Sequence, residues 1–333
     1  MKSTTKSEGY VGRFAPSPTG PLHAGSLVAA VGSYLDARHH HGQWLLRIDD
    51  LDPPRTVSGA DDAIRAALER HGLHWDGAVL YQSTRTAAYV AALEVLRRCA
   101  ELFYCTCSRL QLAAQTHRYP GTCRARATPP AEPAAIRLRV PDAWIHVTDL
   151  LQGDSDWNLA RDPGDFVVRR RDGFFAYQMA VVVDDAAANI THVVRGADLL
   201  DNTARQQYLQ TLLLLPTPRY LHLPLLRGAD GMKLSKQHQA RALSNTAPSV
   251  NLARALAALG HEPPAELIGA PPHELLSWAT KAWQRAAIPR MLTAADGIAD
   301  GTATGPADAT TGALADQNAD PSTDDKADDH ARP

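Results

Sequence analysis

The arrangement of residues 10–48 constrains this chain more than any other feature. A short apolar run, "YVGRFA", enters a loop with three prolines, and "SLVAAVGSYLDARHHHG" then sets Leu27, Val31, Tyr34 and Leu35 on one helical face. Gly42 reads as the stop of that helix, and "QWLLRIDD" follows as a buried strand. Helical "ADDAIRAALERHG" and "RTAAYVAALEVLRRCAELF" continue an alternation of strand and helix that belongs to a parallel α/β sheet.

The alternation breaks at "CTCSRLQLAAQTHRYPGTC". Beyond it come "AAIRLRV", an irregular stretch bearing Trp and Asp, and strand-like "DFVVRRRDG", "FFAYQMAVVVDD" and "ITHVVRG". A helix, "NTARQQYLQTLLLL", and a strand, "RYLHLPLL", lead to "GADGMKLSKQ". Residues 1–103 and 166–245 therefore read as two halves of one sheet domain, with 104–165 inserted between them. A short helical region, 246–294, carries "NLARALAALG" and "HELLSWATKAWQRAA". Residues 295–333 lack aromatics and periodicity and read as a disordered acidic tail.

That tail holds nine of the aspartates and no glutamate, so the net charge of −2 divides into −7 over residues 296–333 and about +5 over the rest. A mildly basic body permits a nucleic-acid partner without requiring one. The polar start "MKSTTKSEGY" and the absence of any run of about 18 apolar residues give no support to a signal peptide or a membrane span, so a cytoplasmic protein with no membrane partner is expected. Three clustered cysteines among four then point to metal or redox chemistry in place of a disulfide framework, with Cys99 a buried outsider on a helix.

Two strings carry phosphate chemistry. In "RFAPSPTGPLHAGSL", His23 and Gly25 stand at the mouth of a helix, where backbone N–H groups and an imidazole can hold a triphosphate. In "KLSK", Lys233 and Lys236 can close over a pyrophosphate leaving group.

Together, in this order on an α/β chain, the strings resemble the paired ATP signatures of class I aminoacyl-tRNA synthetases. "RFAPSPTGPLHAGSL" is similar to the glutamyl and glutaminyl branch, and the resemblance runs through "LLRIDDLDPPR" and "YQMAVVVDDAAANITHVVRGADLL", roughly residues 10–240. It implies a Rossmann-like catalytic domain. It further implies that Arg13 and Ser17 hold the amino acid against a wall of Phe14, Ala15 and Pro16. Asp49, where the family commonly has Glu, takes the α-amino group. Tyr177 and Arg195 complete the pocket, Arg195 pairing with the substrate's side-chain carboxylate, as an arginine fork on an acidic amino acid would. His23, Gly25, Ser26 and Lys236 would bind ATP, with Mg²⁺ as the phosphate counter-ion.

Ser26 stands where the first signature normally has its second histidine, Leu234 replaces the usual Met of the second, and Gln237 its final Ser. These departures shift the expected ATP contacts toward His23 and Lys236. Only 97 residues follow Lys236, and a helical anticodon-binding domain does not fit there. A glutamate-activating half without that domain resembles the glutamyl-queuosine tRNA(Asp) synthetase branch, whose members activate L-glutamate without tRNA and transfer it to queuosine at the wobble position of tRNA(Asp). Alternatives are a truncated glutamyl-tRNA synthetase charging a 3′ end, or a non-catalytic amino-acid or tRNA-binding paralogue.

Cys105, Cys107 and Cys123 supply three thiolates for one structural zinc, which wants a fourth ligand. Ligand chemistry favours His117, since imidazole is a commoner ligand than phenolate. The resemblance favours Tyr119, because Cys-x-Cys followed by Tyr-x-x-x-Cys matches the motif of the glutamyl-queuosine branch.

Overall fold

The structure, a computed structural model, describes residues 9–108, 111–112, 118–225, 243 and 247–290. Lys233, Lys236, His117 and the whole acidic tail lie outside them.

The first half is built from strand β1 (Val11–Phe14), helix α1 (Ala24–His39), strand β2 (Gln43–Ile48), helix α2 (Ala60–Arg70), strand β3 (Leu80–Tyr81) and helix α3 (Thr86–Cys99). β1, β2 and β3 are parallel and adjacent, with Arg13 opposite Leu45 and Phe14 opposite Leu46. The second half contributes helix α4 (Tyr177–Ala187), strand β9 (His192–Gly196), helix α5 (Thr203–Leu213) and strand β10 (Arg219–Leu223), β9 and β10 again parallel. The two halves meet where Thr191 N donates to Val11 O at 2.9 Å. The strand order is therefore β3-β2-β1-β9-β10, winding outward in both directions from the β1/β9 seam. Such a seam is the topological switch point, the crevice where open α/β sheets bind ligands beyond the carboxyl ends of their strands.

Between the halves run β4 (Leu102–Cys105), β5 (Ala135–Leu138), β6 (Trp144–Asp149), β7 (Gly153–Asn158) and β8 (Phe166–Arg169). β4, β5 and β8 form a separate antiparallel sheet. The stretch expected to be irregular is instead the β6–β7 hairpin, and β6 adds to the catalytic sheet by pairing with β10 at Tyr220 and Asp149. Residues within 104–165 thus extend the catalytic sheet.

Three further expectations differ from the structure. "FFAYQMAVVVDD" is mostly helix α4, not a strand, because Met179 to Val182 are buried on every side and a wholly apolar run has no period to read. Gly42 is not the left-handed stop of α1. His41 takes that conformation at φ 54°, its N–H bonding Arg38 O and Gly42 N bonding Ala37 O, the paired bonds of a Schellman end. Glycine is required one residue later for a different reason, since a Cβ there would run into the Tyr10 carbonyl oxygen where the chain enters β2. Cys99, at the end of α3, is exposed.

Helices α6 (Pro248–Ala258) and α7 (Pro272–Ala282) pack Leu252, Leu256, Leu275 and Leu276 into the same apolar core as Leu27, Val31 and Leu35 of α1. One carboxylate ties them down. Asp36 accepts from Tyr10 Oη at 2.6 Å, Trp283 Nε1 at 2.9 Å and Arg285 Nε at 2.7 Å. Burial would raise its pKa, but Arg285, Tyr10 and Trp283 outweigh that and hold it below the usual carboxylate range. A depressed folded-state pKa contributes stability above the unfolded value near ~3.9 and loses it as pH falls through the folded value. Asp36→Ala leaves Arg285 and two ring donors without their acceptor, and an expected loss of about 3–5 kcal/mol is to be read from the denaturant midpoint at pH 7.

Candidate functional site

One cleft of about 640 Å³ lies at the switch point, walled by the carboxyl ends of β1, β2, β9 and β10 and by the first turn of α1. Arg13, Phe14, Ala15, Pro16, Ser17, Asp49, Tyr177 and Arg195 all line it, as do His23, Gly25 and Ser26. Residues 182 positions apart along the chain thus face one space.

One end of the cleft is built by α1. His23 is its N-cap: the ring Nδ1 accepts the Ser26 N–H at 3.2 Å, so the proton sits on Nε2, 3.0 Å from Ser26 Oγ. The serine that replaces the expected second histidine therefore fixes the orientation of the first. No acidic side chain occupies the first turn, so the partial positive charge of the helix end is available to an anion.

At the other end, four buried charges interlock. Arg13 reaches Asp185 with Nε and Nη2 at 3.1 and 3.2 Å, Arg47 Nη1 joins the same carboxylate at 2.5 Å, and Arg47 Nε holds Asp49 at 2.6 Å. Two cations thus neutralise two carboxylates, as burial demands. Asp185 sits low because Arg13 and Arg47 outweigh its burial. Asp49 goes the other way: burial raises it, assisted by Asp185 and only partly countered by Arg47 and Arg13. Its backbone N–H donates to Pro16 O at 3.0 Å, which locks it to the proline loop. Arg47 and Asp185 were not among the residues expected to build the pocket. The hints were an arginine inside the otherwise buried strand "QWLLRIDD" and the acidic pair Asp184 and Asp185 that ends "AVVVDD".

Arg195 is buried, with each of its five N–H groups facing an acceptor. Nε donates to His222 Nε2 (2.9 Å), Nη1 to Gln206 Oε1 (2.8 Å), and Nη2 to Thr203 Oγ1 (3.0 Å) and Leu199 O (3.2 Å). The remaining Nη1 contact, to Tyr177 Oη in the cleft wall, is the longest at 3.5 Å. The fork expected to be bidentate thus has one loosely held N–H, beside a phenol hydroxyl in the cleft wall. Asp184, on the far side, is absorbed by Gln82, Arg85 and Tyr89.

The model of the family "tRNA synthetases class I (E and Q), catalytic domain" matches residues 10–260. A protein of Ectopseudomonas mendocina named "Glutamyl-Q tRNA(Asp) synthetase" is 54% identical over 287 residues, 86% of this chain and 97% of that one. One of the same name from Thiobacillus denitrificans is 55% identical over 84% of this chain and 95% of its own length. The chain belongs to the glutamyl-Q tRNA(Asp) synthetase branch of this class I family. Like other class I synthetases of the glutamyl and glutaminyl kind, it is a ligase with a parallel α/β catalytic domain. A crystal structure of a glutamate tRNA ligase from Elizabethkingia meningosepticum in complex with its amino acid superposes with a TM-score of 0.70 at 26% identity, covering 84% of this chain and 66% of that one. This class I chain therefore spans just under two thirds of that ligase. Among the described residues no helix is long and apolar enough to cross a membrane.

The cysteine cluster lies in the antiparallel part. Cys105, Cys107 and Cys123 are free thiols whose sulfurs all lie within 4.8 Å of one another, an arrangement that can hold a metal ion. Tyr119 is buried with them, stacked on Phe103, with the Arg137 guanidinium 4.1 Å from its ring centre. Its hydroxyl accepts the Cys123 N–H at 2.8 Å, and the ring packs in one buried cluster with Cys105 and Cys123. A phenol oxygen thus stands beside the sulfurs.

Proposed function

We propose that this chain activates L-glutamate with ATP, in the absence of tRNA, and transfers the glutamyl group to the queuosine base at the wobble position of tRNA(Asp). The observation that carries the reading is the single cleft that faces Arg195 and Tyr177, the buried Asp49 and a helix N-terminus capped by His23. A side-chain carboxylate, an ammonium group and a phosphate are the charges of glutamate and ATP, and their complements are all present.

Arg195 and Tyr177 receive the γ-carboxylate, and Asp49 the α-ammonium. The α-carboxylate is then left to attack the α-phosphorus of ATP in line, forming the mixed anhydride and breaking the bond to pyrophosphate. His23 and the first turn of α1 hold the phosphates, with Lys233 and Lys236 assigned to the leaving pyrophosphate and Mg²⁺ accompanying ATP. A queuosine hydroxyl then attacks the acyl carbon, AMP departs and the hydroxyl proton is lost. No covalent intermediate with the protein is needed. Glutamate-dependent ATP–pyrophosphate exchange without tRNA tests the first step; its absence would refute the reading.

Cys105, Cys107, Cys123 and Tyr119 would hold a structural zinc. Three thiols and a phenol complete a four-ligand set with no position for substrate, and zinc there would cross-link β4 to the segment that returns toward β5. Elemental analysis of protein purified without chelators is expected to find about one zinc per chain, lost in Cys123→Ser. Metal-free protein of full stability would contradict the site.

A further inference from the structure

Asp149 and His222 lie outside the cleft lining and carry no role so far. Both are buried, and they pack directly behind Arg195. His222 is the cross-strand neighbour of Arg195 on β10, and Asp149 closes β6 on the next strand. We propose that the Asp149–His222 pair positions Arg195, fixing the one guanidinium N–H that meets the substrate's side-chain carboxylate. The proposal rests on the reading of Arg195 as the carboxylate's partner.

The logic is one of proton placement. Asp149 Oδ1 accepts the N–H groups of Leu151 and Gln152 at 2.9 and 2.7 Å. Its Oδ2 accepts the His222 backbone N–H at 3.1 Å and faces His222 Nδ1 at 2.6 Å. Three backbone N–H donors favour the ionised carboxylate, which can only accept, so Nδ1 carries the proton. An arginine can only donate, so Nε2 must present its lone pair to Arg195 Nε at 2.9 Å. A proton on Nε2 would set two N–H groups against each other. Burial and the adjoining Arg195 both lower the His222 pKa, consistent with a neutral ring. With Nε anchored, and Nη2 and one Nη1 hydrogen taken by Thr203, Leu199 and Gln206, the guanidinium plane cannot rotate. Its last N–H is aimed at Tyr177 and the cleft.

Three variants test this in ATP–pyrophosphate exchange, each checked for folding by thermal unfolding, with Arg195→Leu run alongside. His222→Leu removes the acceptor. Asp149→Asn offers an NH₂ toward Nδ1 and drives the proton to Nε2, against Arg195. His222→Gln keeps an oxygen toward Arg195 and an amide N–H toward Asp149. The glutamate KM is expected to rise roughly 10- to 100-fold in the first two, with the ATP KM unchanged and the preference for glutamate over glutamine reduced, while His222→Gln stays within about threefold of wild type. A merely structural role would lower the active fraction, and so kcat, for both amino acids without moving KM or their ratio. If Arg195→Leu abolishes glutamate use while folded Asp149→Asn and His222→Gln both keep the wild-type KM and selectivity, the positioning role is overturned. If Arg195→Leu itself leaves glutamate KM intact, the reading of Arg195 fails first. Should His222→Leu not fold, the contrast between Asp149→Asn and His222→Gln decides.

Discussion

Arg195→Leu is expected to lower kcat/KM for glutamate in pyrophosphate exchange by roughly 10²- to 10³-fold, the equivalent of about 3–4 kcal/mol for truncating one partner of a buried, hydrogen-bonded charge pair. The loss has two parts. The substrate side-chain carboxylate would lose its cationic partner and keep only the phenol of Tyr177 at that position, and His222 Nε2, Gln206 Oε1 and Thr203 Oγ1 would lose a buried donor. The second part lowers stability as well and is separated from the first by a melting curve. Arg195→Lys should recover little, because one ammonium cannot reach acceptors arranged around a planar fork. Near-normal glutamate use by a folded Arg195→Leu protein would remove the pocket assignment.

Asp49→Asn is the second large effect. The carboxylate is the anionic partner assigned to the α-ammonium, and its loss should raise the glutamate KM by roughly 10²-fold, within the range for a charge-assisted contact. It also takes the charge from the acceptor 2.6 Å from Arg47 Nε, leaving Asp185 as that guanidinium's anionic partner. The wild-type protein carries a pH signature of the same group. Burial raises the Asp49 pKa, so the carboxyl begins to protonate at a higher pH than an ordinary aspartate. A neutral carboxyl does not attract an ammonium, so kcat/KM for glutamate should fall as pH drops through that raised value and be fully present above it. The Asp49→Asn protein should lose this acid limb. A limb that persists unchanged in the variant would assign it to another group.

What the sequence made legible was what depends on local pattern. The β1-loop-α1-β2 unit is readable because its strands are apolar and its helix keeps one face, and the cleft follows from it. The failures have physical reasons. α4 is buried all round and loses its period. The β6–β7 hairpin alternates Ile145 and Val147 with His146 and Thr148, but the Asp residues of its return strand hide it. The αL residue at the end of α1 is a histidine, and the following glycine answers a contact from Tyr10. The residues that line the cleft were readable as motif positions, whereas their supports were not. Arg47 and Asp185 are 138 residues apart and Asp149 and His222 are 73. A buried carboxylate declares its partner only once the strands are ordered.

Labelled glutamate, ATP and two preparations of tRNA(Asp), one carrying queuosine and one with the unmodified base, test the central claim most directly. The expected result is label on the queuosine-containing tRNA alone, still present after its 3′-terminal adenosine has been removed. Equal labelling of both preparations, or loss of the label with the terminal adenosine, would contradict it and make the chain a 3′-charging synthetase.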